Sequence, residues 1–405
     1  MFKVSIEQIQ QAYERVRYHV LKTPLNQSET LSAIADRDLY LKFENLQFTA
    51  SFKERGSVNK LLLLDDTARK RGVIAASAGN HAQALSRHCQ LLGIPAKIVM
   101  PKYTPNTKVE NTKIFGAEVI LEGERFDESM RHAILLQEQH GYTLVHPFDD
   151  LDVIAGQGTI GLELLDQEPR LQTVVVPIGG GGLISGVASA IKQLAPNIRI
   201  VGVQVETFMS AYARFHDISD YKIGSAMTVA EGIAVKQPGE LTFEIIKDCV
   251  DDIVIVSELD VENAMFMLLE IEKTVVEGAG AISLAAALKH PDTIHGRTAI
   301  IVSGGNVEMI ILTNILQRGL VRSHRLVNLR VLVADVPGAL AKLTRYLGNL
   351  DSNIVDIAHR RTLADSTLGA QPIDVLLHLC GEEQEEQVVE ELRNNGYDVE
   401  ILKNG

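Results

Sequence analysis

The chain has 405 residues, enough for two or three domains, and its formal net charge of −13 leaves no basic face for nucleic acid. Hydrophobic content of 46% and charged content of 22% fit a folded protein, and no apolar run reaches the roughly 18 residues of a membrane span. The three cysteines, Cys89, Cys249 and Cys380, lie far apart in apolar surroundings without metal-ligand spacing. Reduced, buried thiols and a cytoplasmic location are therefore expected, and the start Met1-Phe2-Lys3-Val4 does not read as a signal peptide.

Ser5-Ile6-Glu7-Gln8 reads as a capping box, with Ile6, Ile9, Tyr13, Val16 and Val20 following at helical spacing until Thr23-Pro24. A strand is predicted over 39–43, then the stretch Ser51-Phe52-Lys53-Glu54-Arg55-Gly56-Ser57, then a helix over 60–71 ended by Gly72. Short apolar runs follow at 73–76, 96–100 and 117–121, and again at 173–176, 198–203 and 298–302, with helical segments between them. Strands apolar throughout and separated by helices predict parallel sheets covered on both faces. The gap between the two sets predicts two lobes with a cleft, an α/β architecture.

The character changes after Gly319-Leu320. Arg322-Ser323-His324-Arg325 reads as a polar joint, so the expected domains are 1–322 and 323–405. Strands at 326–333, 352–358, 373–380 and 399–402, with helices at 339–347 and 383–394, give βαββαβ, a small α+β module.

Three turns follow parallel strands, where such sheets bind ligands. Gly179-Gly180-Gly181-Gly182-Leu183 comes after 173–176 and opens a helix. Backbone N–H groups there point at an anion, which reads as a phosphate cradle, although it is neither a Walker loop nor a dinucleotide fingerprint. Ser77-Ala78-Gly79-Asn80-His81 follows 73–76. Ser77 and Asn80 are suited to cap the next helix, or the turn could hold a substrate carboxylate while Asn80 meets a cofactor oxygen. Ser303-Gly304-Gly305-Asn306 repeats the pattern. Glu277-Gly278-Ala279-Gly280-Ala281 reads either as a helix break or as part of a site, and Glu231-Gly232 is equally open. His81 could be structural or functional; His146 and His324 read as structural. Lys53 alone would be an ordinary solvated charge, unless burial makes its amine nucleophilic.

In this order, Ser-Phe-Lys-x-Arg-Gly, Ser-x-Gly-Asn-His, Gly-Gly-Gly-Gly-Leu and Ser-Gly-Gly-Asn resemble the pyridoxal-phosphate enzymes of the tryptophan-synthase β fold (fold type II). Ser-Ala-Gly-Asn-His-Ala-Gln at 77–83 and Val-Pro-Ile-Gly-Gly-Gly-Gly-Leu-Ile at 176–184 are similar to the threonine dehydratases (threonine ammonia-lyases). The tail, with Asp335-Val336-Pro337-Gly338-Ala339-Leu340, resembles an ACT regulatory domain. The resemblance implies a Schiff base on Lys53, with Phe52 beside the ring and Asn80 on the ring hydroxyl oxygen. It implies phosphate binding by Gly179, Gly180, Gly181, Gly182 and Leu183, and Ser303 facing the pyridine nitrogen. It places Glu277 near the cofactor and gives Ser77, Ala78, Gly79, Asn80 and His81 the substrate carboxylate.

The implied reaction is β-elimination from a small hydroxy amino acid, giving a 2-oxo acid and ammonia, with Lys53 as both anchor and base. L-Threonine would give 2-oxobutanoate, toward isoleucine, and L-serine pyruvate. Asp335, Pro337, Gly338, Ala339, Leu340 and the strand from Asn353 would bind an amino-acid effector such as a branched aliphatic one. A homodimer or homotetramer is expected. Serine racemases of this family carry a second serine at the place of Ala78, so racemisation is the weaker alternative here; a hydroxyaspartate dehydratase and a non-catalytic amino-acid sensor are the others. The metal site of the racemase-like members looks incomplete here: Glu206 could serve, but Tyr212 and its neighbours offer no second carboxylate, so no divalent metal is expected to be required.

Overall fold

The structure is a computed structural model and describes residues 2–221, 228–359 and 369–402. Its Cα packing divides the chain into two units, Met1–Glu308 and Met309–Gly405.

The first unit holds two sheets. The larger has six strands, in spatial order Leu25–Gln27, Leu39–Phe43, Thr298–Val302, Thr173–Pro177, Arg199–Val205 and Asp252–Val256. Only the first pair is antiparallel. Leu39–Phe43, Thr173–Pro177 and Thr298–Val302 are buried at every residue, as apolar strands between helical layers must be. The smaller sheet runs Glu118–Leu121, Ala96–Met100, Val73–Ala76, Thr143–Leu144, all parallel. Each sheet has its own apolar core, around Ile154, Val176 and Ile301 in one and around Leu85, Ile98 and Met100 in the other.

Several expectations are revised. The capping box at Ser5 forms, but its helix ends at Val16. The expected helix over 60–71 is two helices, Lys53–Leu62 and Asp66–Arg71, because Asp65 accepts from Ala68 N and caps a new start. The earlier start matters, because it makes Lys53 the first helical residue. Cys89 and Cys249 are buried, and burial pushes their thiols up to about 12 and about 11; Cys380 is exposed, against expectation.

The Lys53–Leu62 helix lies against the helix Leu151–Gln167 at a glycine crossing. A Cβ on Gly56 would sit 2.4 Å from Gln157 Nε2, and one on Gly156 would sit 2.7 Å from the Arg55 carbonyl oxygen. Two backbones this close leave no room for side chains, so the glycines set the seat of Lys53. Below the crossing lies a buried charge cluster. Arg55 bonds Glu44 at 2.8 Å and Glu163 at 2.7 Å, and Lys42 bonds Glu163 at 2.6 Å. Two cations meet two carboxylates with none more than 2% exposed, so the cluster is neutral as a whole.

The second unit begins with the helix Met309–Arg322, so the expected joint at 322–325 lies inside this unit, between that helix and the strand Leu326–Ala334. Its antiparallel sheet has the order Asn353–His359, Ala370–His378, Leu326–Ala334, Asp398–Ile401, and the helices Ala339–Asn349 and Glu382–Asn394 complete the βαββαβ pattern. Leu329, Val331, Leu343, Val375 and Leu392 belong to its core.

Candidate active site

Lys53 is half-buried, and its amine meets no carboxylate in an ion pair among the described residues. Its Nζ donates to the Pro147 carbonyl at 2.8 Å and lies 5.0 Å from the centre of the Phe52 ring. Burial pushes the amine down to about 8, against the pull of Glu277. The neighbouring imidazoles do not add charge. Burial first, and the Lys53 cation next, push His81 down to about 3. Burial likewise lowers His146, whose Nδ1 accepts from Asp149 N at 2.8 Å and shapes the 146–149 turn.

That turn joins the lysine to the glycine loop. Phe148, next to Pro147, fills the space in front of Gly180 and Gly182: a Cβ on Gly180 would sit 2.3 Å from its ring and one on Gly182 2.9 Å from its backbone. Gly181 has φ +95°, a left-handed conformation that favours glycine, and Thr242 Oγ1 donates to the Gly180 carbonyl at 2.6 Å. The helix Gly182–Leu194 begins there, and the N–H groups of its first turn have no intrahelical acceptor. With no side chain from 179 to 182, the loop presents backbone donors to an anion.

The other turns are bonded to the lysine turn and to one another. Phe52 N donates to the Ser303 carbonyl at 3.1 Å, tying the lysine turn to the end of Thr298–Val302. Ser303 is buried, and its hydroxyl donates to the Ala279 carbonyl at 3.0 Å. Asn80 does not cap its helix: Gly79 holds the N-cap position, without a side-chain bond. Instead Asn80 Nδ2 donates to Glu277 Oε1 at 2.7 Å. Burial pushes the Glu277 carboxyl up to about 7, although the Asn80 amide favours the ionised form. Gly79 borders open space, since a Cβ there would meet nothing within 4 Å.

The expected site residues fall into place unevenly. Lys53, the glycine loop, Asn80, Glu277 and Ser303 lie in one bonded neighbourhood. Ala78 packs on the smaller core. The His81 side chain turns inward, to the Val145 carbonyl at 2.9 Å and Ser57 Oγ at 3.4 Å, so only its backbone N–H is left for a ligand. In the second unit, one copy does not bring the expected effector residues together. Asn353 aligns with His378 and Leu326 at one end of the sheet, whereas Asp335 bonds the Gly369 carbonyl at the other. Among the described residues no group of three His, Cys, Asp or Glu side chains is placed to hold a metal. The sequence reading gave no role to Pro147, Phe148 or Asn306. Only Asn306 left a signal, as the last residue of Ser-Gly-Gly-Asn.

The site fits pyridoxal phosphate on two counts. The aldehyde requires an amine that loses its proton readily, and Lys53 is such an amine. The phosphate requires backbone donors, and the loop 179–182, free of side chains at the start of the helix Gly182–Leu194, supplies them.

The comparisons agree with this chemistry. Residues 16–304 match the family described as pyridoxal-phosphate dependent enzyme, and residues 327–396 match the ACT domain. The L-threonine ammonia-lyase of Thermotoga maritima is 44% identical over 98% of this chain and 100% of its own. Among solved structures, a threonine deaminase from T.th. has a TM-score of 0.71 at 39% identity, covering 75% of this chain and 99% of its own. Maize serine racemase has a TM-score of 0.73 at 37% identity, covering 79% and 99%. The chain, ending in an ACT domain, therefore belongs to the pyridoxal-phosphate dependent enzyme family.

Proposed function

We propose that the chain is an L-threonine ammonia-lyase, converting L-threonine to 2-oxobutanoate and ammonia and acting also on L-serine. The observation that carries this reading is the Lys53 amine, half-buried and easily deprotonated, which donates to Pro147 in the turn whose Phe148 lies against the glycine loop.

Pyridoxal phosphate, when bound, supplies the electron sink for charge developing at the substrate α-carbon. Lys53 would anchor it, and its free amine would be the base that takes the substrate α-proton. An amine near 8 is well matched to that task at neutral pH. The N–H groups at the start of the helix Asn80–Leu92 orient the substrate carboxylate, and the loop 179–183 holds the phosphate. The β-hydroxyl leaves as water, and a water returned in hydrolysis gives the 2-oxo acid and ammonia. Ser303 sets a neutral oxygen where a carboxylate would sustain a long-lived carbanion, which favours prompt loss of the leaving group. Ala78 offers no second base, which favours elimination over racemisation.

A 2-oxo acid assay across L-threonine, L-serine and 3-hydroxyaspartate tests this. Threonine should be the best substrate; rapid interconversion of L- and D-serine without oxo acid would replace the reading with a racemase. EDTA should leave the rate unchanged. We assign regulation to the ACT domain, with a branched aliphatic amino acid as effector between copies in a homo-oligomer. Isoleucine and valine should alter the rate of the full chain and not of one ended at residue 322.

A further inference from the structure

The turn after Thr298–Val302 holds a second amide beside Asn80. Asn306 Nδ2 has two hydrogens and two acceptors: the Thr49 carbonyl at 2.8 Å and Asn80 Oδ1 at 2.7 Å. Thr49 lies in the lysine-bearing turn, which the same loop clasps through Gly305 N to the Ala50 carbonyl at 2.8 Å and Phe52 N to the Ser303 carbonyl at 3.1 Å. A backbone carbonyl only accepts. It therefore fixes which end of the Asn306 amide faces it. The remaining Asn306 hydrogen then faces Asn80, which must answer with its oxygen.

The Asn80 nitrogen is thereby turned away, toward Glu277, to which it gives one hydrogen at 2.7 Å. Its second hydrogen has no acceptor in this network. A flipped Asn80 would set donor against donor at Asn306 and, whenever Glu277 is ionised, oxygen against carboxylate. Each mismatch leaves partly buried polar groups unpaired.

We propose that Asn306 is a positioning residue: it passes the fixed polarity of the Thr49 carbonyl to Asn80, so that one Asn80 N–H always points into the site. This rests on the reading that Asn80 meets the cofactor's ring oxygen. Orientation of the donor and placement of Lys53 are then coupled through one side chain.

The test uses holoenzyme and reads two quantities other than rate: retention of pyridoxal phosphate on dialysis, and the ratio of the two visible absorption bands of the lysine-bound cofactor. That ratio responds to a hydrogen bond at the ring oxygen. Asn306→Ala should weaken retention about tenfold, the scale of one well-placed hydrogen bond, and shift the ratio. Asn306→Asp, similar in shape, should do more, because it turns oxygen toward both the Thr49 carbonyl and Asn80 Oδ1. In an Asn80→Ala background neither variant should shift the ratio further. The proposal is overturned if Asn306→Asp leaves both quantities unchanged, or if either Asn306 variant acts equally with and without Asn80. An Asn80→Ala variant that itself retains the normal ratio would instead overturn the assignment of Asn80. If Asn306→Ala does not fold, the Asn306→Asp cycle decides alone.

Discussion

Two lysines lie close in sequence, one fully buried and one half-buried, and the protein treats their charges in opposite ways. Lys42 is fully buried and answered by Glu163 at 2.6 Å, the Thr23 carbonyl at 2.7 Å and Gln167 at 2.9 Å. Lys53 is half-buried, and its amine donates to a single carbonyl. Burial lowers both amines, but Glu163 and Glu44 pull Lys42 back toward its charged form. Glu44 itself is pushed up by burial, and Arg55 and Lys42 outweigh that and keep it below the usual carboxylate range. The first region holds charge in order to seat a helix. The second leaves charge unanswered in order to make an amine reactive.

The widest separation of the two comes from removing each amine. Lys53→Ala should lower threonine turnover by at least about 10⁴-fold, since anchor and base are lost together, and abolish the visible absorbance of bound cofactor. Its apo-protein should melt no lower than wild type, because a poorly matched cation has gone. Lys42→Met should do the reverse. It leaves Glu163 with one cation fewer in a dry cluster, at a cost of about 3–5 kcal/mol in denaturant unfolding, with the cofactor spectrum unchanged below the transition. A Lys42→Met protein of normal stability would mean that the cluster is wetter than its burial implies.

The next effect is a pH signature. The folded pKa of Lys53, about 8, lies below its ordinary 10.5. Between these values the unfolded chain binds the proton and the folded one does not, so stability rises with pH. The contribution is complete above 10.5 and is lost as pH falls through 8. About 3 kcal/mol of apo-protein stability should be gained across this window and be absent from Lys53→Met. Subtracting one denaturation series from the other isolates the Lys53 contribution from that of every other group. A flat difference would show that water reaches the amine.

The sequence revealed these regions unequally. Val174, Val175 and Val176, or Ile300 and Ile301, are apolar on both faces because both faces are covered, so their strands stand out. Lys53 and the four glycines were legible through the order of their motifs. The paired cluster was not, since Lys42 sits inside a strand and only the fold brings Glu163 to it. Asp65 split an expected helix because Leu61, Leu62, Leu63 and Leu64 look continuous until a cap is seen. Pro147 acts through a backbone oxygen, which no side chain advertises. Asn353 and Asp335 seemed to share a site until the strand register set them at opposite ends.

A third lysine gives the smallest effect and sharpens the comparison most. Lys108, on the helix Asn106–Lys113 beside the smaller sheet, meets Glu231 at 2.6 Å, the same distance as Lys42 to Glu163. Glu308 stands 3.7 Å from the same amine. Here the side chains are 25% and 59% exposed, against 0% and 2% in the buried pair. Water screens the attraction, and holding two long side chains together costs entropy, so Lys108→Met should change stability by no more than about 0.5 kcal/mol. The measured difference between Lys108→Met and Lys42→Met, at identical separation, would then report exclusion from water together with the further bonds of Lys42 to the Thr23 carbonyl and Gln167. Raising salt from about 0.05 to about 0.5 M should erase the Lys108 effect and leave that of Lys42 intact, since counter-ions reach only the first.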